Sequence, residues 1–254
     1  MNALDRVRAK VARDGVWSTF TAVARYPFTR GPRPQADPAA SLSVQERFER
    51  IYASNAWQST ESRSGPGSEL GRTENLRNWL VTAIPRYNIH SMIDAPCGDF
   101  NWMKEVVPQV EVRYLGLDIV APMIRANTEK YGTDRVGFGV ADIRLDPLPS
   151  ADLIMVRDCL FHLSFADVNK FLRNLAKTDY KYLLTTTHTE LGEFRNHDIA
   201  TGEWHLMDLF STPFGFSRAA VIDAVEDYPP GFAIPRQMIL LKKSDVPRSI
   251  TKRR

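Results

Sequence analysis

The 254-residue chain has only two cysteines, Cys97 and Cys159, which excludes a disulfide scaffold and a cysteine-built metal site. Long apolar runs are also missing, since none approaches the ~20 residues of a membrane span. No charged-then-apolar leader precedes a small-residue cleavage site, so the reducing cytoplasm is the expected compartment. Neither the G-x-G-x-x-G turn of nicotinamide proteins nor the G-x-x-x-x-G-K-[ST] phosphate loop occurs, which argues against hydride and phosphoryl transfer. No H-E-x-x-H or H-x-x-x-H pair is present, so no metal is expected. An excess of one charge is lacking too. The formal net charge of +3 conceals +5 on residues 1–36, +5 on 242–254 and −7 on 37–241. An acidic body with basic ends argues against a nucleic-acid groove in the main domain.

The chain is 43% hydrophobic and 25% charged, which is ordinary globular usage and excludes a disordered or fibrous protein. Its length fits one α/β domain with extensions. Residues 2–28 place Leu4, Val7, Val11, Trp17, Phe20 and Val23 at helical spacing among arginines. Such a helix covers the domain's own surface or, in the alternative reading, makes a peripheral membrane contact. Prolines 27, 32, 34 and 38 mark a linker. The organisation expected is a basic amphipathic extension and linker over 1–42 and a helical cap over 43–90. A main domain then covers 91–243, followed by a basic tail over 244–254. Within the cap, helices are predicted at 43–51 and 73–84, separated by the loop Glu61-Ser-Arg-Ser-Gly-Pro-Gly-Ser68.

From residue 91 the pattern changes. Apolar runs of strand length at 91–95, 112–117, 136–140, 152–156 and 181–186 alternate with helical patterns at 101–107, 121–130 and 165–176. Strands alternating with helices imply crossover units and a parallel sheet covered on both faces. Pro213 precedes a predicted helix at 217–226, and the run 237–241 reads as a late strand.

Ligands of open α/β sheets bind beyond the carboxyl ends of the strands, so residues at those ends matter most. The first strand runs Met92-Ile-Asp94 into the turn Ala-Pro96-Cys97-Gly98-Asp-Phe100. The second ends in Asp118-Ile119, an acid suited to accept from the two hydroxyls of a ribose. The third ends in Asp142-Ile143, a pair suited to an adenine through its amino group and its ring face. The fourth leads into Arg157-Asp158-Cys159-Leu-Phe-His162. A lone strand-ending Asp also serves as a turn former or helix cap, and it is the ordered series that points to a bound molecule.

In this ordered set the sequence resembles the class I S-adenosylmethionine-dependent methyltransferases over residues 73–241. The resemblance implies a doubly wound, mostly parallel seven-stranded sheet with an N-terminal helical cap, and S-adenosyl-L-methionine as cofactor. It implies a donor-binding set of Asp94, Pro96, Gly98, Asp118, Ile119, Asp142, Ile143 and Arg157. Here Pro96 and Phe100 stand where the family carries further glycines, so the backbone contacts of the turn must differ. Trp57, the 61–68 loop, Pro-Cys-Gly-Asp and Arg-Asp-Cys-Leu-Phe-His together are also similar to bacterial sugar methyltransferases. These include rhizobial nodulation enzymes that methylate a fucose on a lipid-linked oligosaccharide.

Nitrogen- and base-modifying relatives often show Asn/Asp-Pro-Pro-aromatic after the fourth strand, where this chain reads Arg157-Asp158-Cys159-Leu160. The expected acceptor is therefore a hydroxyl on a small molecule or glycan, with no nucleic-acid partner. A hydroxyl must lose its proton, and His or Asp does that near neutral pH. The candidate catalytic residues are His162, with Asp158 four positions earlier to orient its ring, and His188 after the fifth strand. The stretch from Thr185 to His205 holds further His, Asn, Asp and Trp side chains suited to acceptor contact. Arg63 in the 61–68 loop is a planar donor able to pair with a carboxylate. Two readings stay open beside this one: a nucleic-acid or protein methyltransferase, and a non-catalytic binding module of the same fold.

Overall fold

Consecutive apolar residues in the central strands divide between two cores. Met92, Leu153, Leu184 and Leu240 enter one, and their neighbours Ile93, Ile154, Leu183 and Ile239 enter the other. Strands buried on both faces need covering elements on both, and a parallel sheet supplies them through its crossovers. The computed structural model describes residues 42–229 and 234–251, all within one compact unit, Leu42–Arg254.

The strands are β1 (Ser91–Asp94), β2 (Arg113–Asp118), β3 (Val136–Val140), β4 (Ala151–Val156), β5 (Tyr180–His188), β6 (Val221–Glu226) and β7 (Arg236–Lys242). They form one sheet in the order β3-β2-β1-β4-β5-β7-β6. β1 to β5 pair in parallel, and β7 runs antiparallel between β5 and β6. The helices are α1 (Val44–Ser54), α2 (Leu70–Arg86), α3 (Met103–Val106), α4 (Ala121–Tyr131) and α5 (Phe165–Leu175). α2 and α3 fill one core through Leu76, Leu80, Ile84 and Met103, while α5 fills the other through Val168, Phe171, Leu172 and Leu175. This is the expected doubly wound, mostly parallel, seven-stranded arrangement.

α1 is held differently. Ser43 accepts from the Glu46 amide and the Glu46 carboxylate accepts from the Ser43 amide, a reciprocal cap. None of its residues is buried.

Two elements differ from the sequence reading. The helix expected at 217–226 is a short 3-10 turn, Arg218–Ala220, followed by the edge strand β6. Its burial alternates along Val221-Ile-Asp-Ala-Val-Glu226. The inward Asp223 is bonded by the Tyr87 hydroxyl at 2.9 Å, so the inner face is not apolar throughout and the period of two is masked. The helix expected at 101–107 shortens to α3 and a 3-10 turn at Val107–Gln109 that contains Pro108. The amphipathic stretch 2–28, with the membrane contact of its alternative reading, the proline linker and the last residues of the basic tail lie outside the described residues.

A buried ionic network ties the fourth strand to the last two. Asp227, with no solvent exposure, accepts from Arg157 Nε at 2.8 Å, and its other oxygen lies 2.9 Å from Arg236 Nε. Arg236 Nη2 donates to Asp158 at 2.8 Å, and Arg157 Nη2 donates to the Gly67 carbonyl at 2.9 Å. The Arg236 guanidinium stacks 3.7 Å from the centre of the Tyr228 ring, and Arg157 lies over Trp102. Asp227→Ala would leave two buried guanidiniums without their shared counter-charge, a loss of about 3–5 kcal/mol. Urea unfolding of the variant should show its midpoint lowered accordingly, with the slope unchanged.

Candidate active site

The carboxyl ends of β1, β2, β3 and β4 share one edge of the sheet, and an open cleft lies along it. The candidate residues at the ends of the first four strands line this cleft: Asp94, Pro96, Gly98, Asp118, Ile119, Asp142, Ile143, Arg157, Asp158 and His162. Parallel pairing is the cause. Asp94 is in register with Gly116 of β2 and Met155 of β4, so the polar residues that end each strand emerge side by side.

The deepest acids are Asp94 and Asp118, both buried. Asp94 accepts from the Tyr114 hydroxyl at 2.7 Å, yet burial pushes its carboxyl up to about 7. Asp118 accepts from the backbone amides of Val120 (3.0 Å) and Gly98 (3.1 Å), and burial pushes it up to about 6. Among the described residues neither has an ion-pair partner, and the Arg157 charge lowers Asp94 only from a distance. Asp142 is different: Arg144 Nε donates to it at 2.8 Å, and the other end of that guanidinium reaches Asp167 at 2.7 Å. The adenine role expected of Asp142 would therefore be shared with Arg144.

Sequence reading places the 61–68 loop ahead of the core, between the two cap helices, and the structure makes it one wall of the cleft. Asp99 receives hydrogen bonds from Ser62 Oγ (2.9 Å), the Arg63 amide (2.7 Å) and Ser64 Oγ (3.2 Å), and its own amide donates to Ser64 Oγ at 2.8 Å. At its far end the loop is held by Asn101 Nδ2 on the Ser68 carbonyl and by Arg157 on Gly67. Two glycines allow the approach. Gly98 has φ +57° and a Cβ there would run into Ser64 Oγ, while a Cβ on Gly67 would meet Asp158 Oδ2 at 2.7 Å.

His162 stands on a 3-10 turn, Leu160–His162, and not on an α-helix. Asp158 takes a left-handed backbone, φ +51°, with its amide bonded to Thr186 Oγ1. The expectation that Asp158 orients the His162 ring is therefore corrected. His162 Nδ1 lies 2.9 Å from the Glu203 carbonyl. A carbonyl only accepts, so Nδ1 carries the proton and Nε2 is the basic nitrogen. Trp57 and Phe161 flank the ring at 5.7 and 4.7 Å between centroids. Burial lowers the His162 pKa below its ordinary 6.5. Burial opposes ionisation of Asp158 as well, but the Arg157 and Arg236 guanidiniums hold it below the usual carboxylate range.

His188 is also corrected. It does not line the cleft. Its Nδ1 accepts from the Met207 amide at 3.1 Å, its ring packs on Phe161 and Trp204, and burial lowers it to about 4. Buried Cys97 has a strongly raised thiol pKa and serves packing. Sequence reading missed Asp99, Asp227 and Arg236. Asp99 follows Gly98 directly in the turn, but the other two precede and follow a loop with no motif.

Residues 93–178 match the family model of a methyltransferase domain. No curated protein matches the chain. Its fold is similar to that of Burkholderia thailandensis 1,6-didemethyltoxoflavin-N1-methyltransferase, solved with 1,6-didemethyltoxoflavin and S-adenosylhomocysteine. That pair has a TM-score of 0.57 at 15% identity, over 84% of this chain and 92% of the other. The [4+2]-cyclase SpnF gives 0.56 at 12%, over 79% and 97%. Human N-acetylserotonin methyltransferase, solved in complex with S-adenosylmethionine (SAM), gives 0.50 at 16%, over 92% and 68%. At such identities the likeness is one of fold, and this fold carries more than one reaction. The sequence match is what points to the chemistry: residues 93–178 are similar to a methyltransferase domain.

Proposed function

We propose that the chain transfers a methyl group from SAM to a hydroxyl of a small-molecule or glycan acceptor. A fucosyl or other deoxysugar group of a lipo-oligosaccharide is the narrowest form of this reading. The observation that carries it is one continuous cleft lined both by the strand-end acids and by a histidine whose basic nitrogen is defined.

The residues suit the donor. Asp118 is a carboxylate with two acceptor oxygens for the ribose hydroxyls, and Ile119, Ala141 and Ile143 supply apolar surface for a flat base. Asp94 and Asp118, left without cations, favour a positively charged ligand. When bound there, SAM supplies an electrophilic methyl on a sulfonium. The chain's own residues hold the acceptor in line and receive its proton. His162 Nε2 takes that proton while Nδ1–H stays on Glu203, and the ionised Asp158 nearby steadies the resulting imidazolium. Trp57, Phe48 and Tyr52 line the cleft and offer aromatic faces to a sugar or another ring.

Two predictions follow from these groups. Folding raises both deep carboxyls above the ordinary value of 3.8, so the fold holds protons that the unfolded chain releases, and their stabilising contribution falls as pH rises from about 4 to 7. A cationic donor reverses this preference. Its affinity should rise about tenfold between pH 5.5 and 8, with proton release seen by calorimetry in buffers of different ionisation enthalpy. Asp94→Asn should flatten the dependence, and an affinity independent of pH in the parent would remove both acids from the site.

His162→Gln keeps size and polarity but removes the basic nitrogen. Single-turnover methyl transfer should fall roughly 10²–10⁴-fold while donor affinity and melting temperature stay near the parent's. The parent's rate should rise with pH through a value below 6.5 and then level off, because the base acts unprotonated. A folded variant with the parent's rate would leave positioning alone as the source of catalysis.

A further inference from the structure

The turn after β1 is where backbone amides of this fold would meet an anion, and in this chain they are already engaged. The Ala95 amide donates to Met155 O (2.9 Å), Pro96 has none, and the Cys97 amide donates to Leu117 O (2.9 Å). The Gly98 amide donates to Asp118 (3.1 Å), and the Asp99 amide to Ser64 Oγ (2.8 Å). No run of free N–H groups remains between Ala95 and Asp99 to form an anion-binding nest.

The methyl donor nevertheless has an amino-acid end with a carboxylate, and the cleft around it is acidic. A carboxylate entering beside Asp94, Asp118 and Asp142 needs a cation. Three arginines line the cleft. Arg144 is paired with Asp142 and Asp167, and Arg157 with Asp227 and the Gly67 carbonyl. Arg63 alone of the three has no ion-pair or hydrogen-bond partner for its guanidinium among the described residues, and it is exposed to the cleft. Its backbone is rooted at the turn itself, because its amide donates to Asp99 at 2.7 Å. The bonds of Ser62 and Ser64 to the same carboxylate fix the loop on either side.

We infer that Arg63 binds the α-carboxylate of the methyl donor, doing in this chain what turn amides would otherwise do. The inference rests on the donor site proposed above. A guanidinium presents parallel N–H groups to both carboxylate oxygens, so one side chain replaces several amides. It also gives the 61–68 loop its purpose. Ser62 and Ser64 latch it to the turn, Gly67 lets it pass over Asp158, and Arg63 between the two serines is delivered to the ligand.

The test is calorimetric and needs no turnover. SAM and decarboxylated SAM differ only in the carboxylate, and both are titrated into the full-length parent, Arg63→Gln and Arg63→Lys, with melting temperatures recorded. The parent should prefer SAM. Arg63→Gln should weaken SAM by about 10- to 100-fold and leave decarboxylated SAM unchanged, and Arg63→Lys should fall between, keeping the charge but losing the fork. A parent that binds the two ligands equally overturns the inference, as does an Arg63→Gln variant that weakens both alike or neither. A parent that binds neither ligand overturns the donor site itself, and is thereby distinct from a failure of Arg63 alone.

Discussion

The Asp227 carboxylate, out of contact with water between the guanidiniums of Arg157 and Arg236, is the interaction on which the active edge of the sheet depends. Arg157 leaves β4 at the point where the cleft opens, Arg236 begins β7, and Asp227 follows β6. A charge buried without a partner costs several kcal/mol, so these groups cannot drift apart singly. The late antiparallel pair is thereby fixed to the parallel half of the sheet. Asp158 is fixed with it through Arg236, and the 61–68 loop through the Gly67 carbonyl.

That arrangement explains why cationic side chains so near the cleft do not make it basic. Arg157 and Arg236 are neutralised by Asp158 and Asp227, and Arg144 by Asp142 and Asp167. Among the described residues Asp94 and Asp118 have no such partner, and burial raises both. Carboxyls that burial raises toward neutrality in a cleft are candidates for a functional site, although both here also accept bonds that shape the turn, from Tyr114, Gly98 and Val120. The unsatisfied charge of the cleft floor is negative, and among the described lining residues the uncommitted guanidinium is that of Arg63 on the wall.

Much of this was legible in the sequence because parallel sheets convert a linear order into a spatial one. Apolar runs followed by Asp94, Asp118, Asp142 and Asp158 imply four polar groups at one edge, whatever the exact strand limits. β6 was not legible, because its inward positions include Asp223 and its alternation loses contrast. The tautomer of His162 was not legible either. It is set by the carbonyl of Glu203, 41 positions away, and no local spacing encodes that bond. The same holds for His188, whose strand-end position was plain but whose ring turns toward Met207 and away from the cleft. The Asp227 pairing joins residues 70 positions apart, so only the fold brings it about.

α1 has no buried residue, and its sequence shows what its apolar positions face instead. Val44, Phe48 and Tyr52 recur every four residues and would ordinarily mark the face a helix buries. Here that stripe lines the cleft and no residue of the helix is buried. Helices of 11 residues are marginal in water, and their stability comes mainly from packing the apolar face. α1 has instead the reciprocal Ser43–Glu46 cap, a left-handed Asn55 at its other end and a bond from Arg47 to the Thr201 carbonyl. These hold its ends and leave its middle dependent on what the cleft contains. A ligand with an apolar or ring face would bury Phe48 and Tyr52 and stabilise the helix against the sheet, at about 25 cal/mol for each Å² of apolar surface removed from water. Binding of such a ligand and ordering of α1 would then be one event, because the apolar stripe that packing would normally cover is the stripe that lines the cleft.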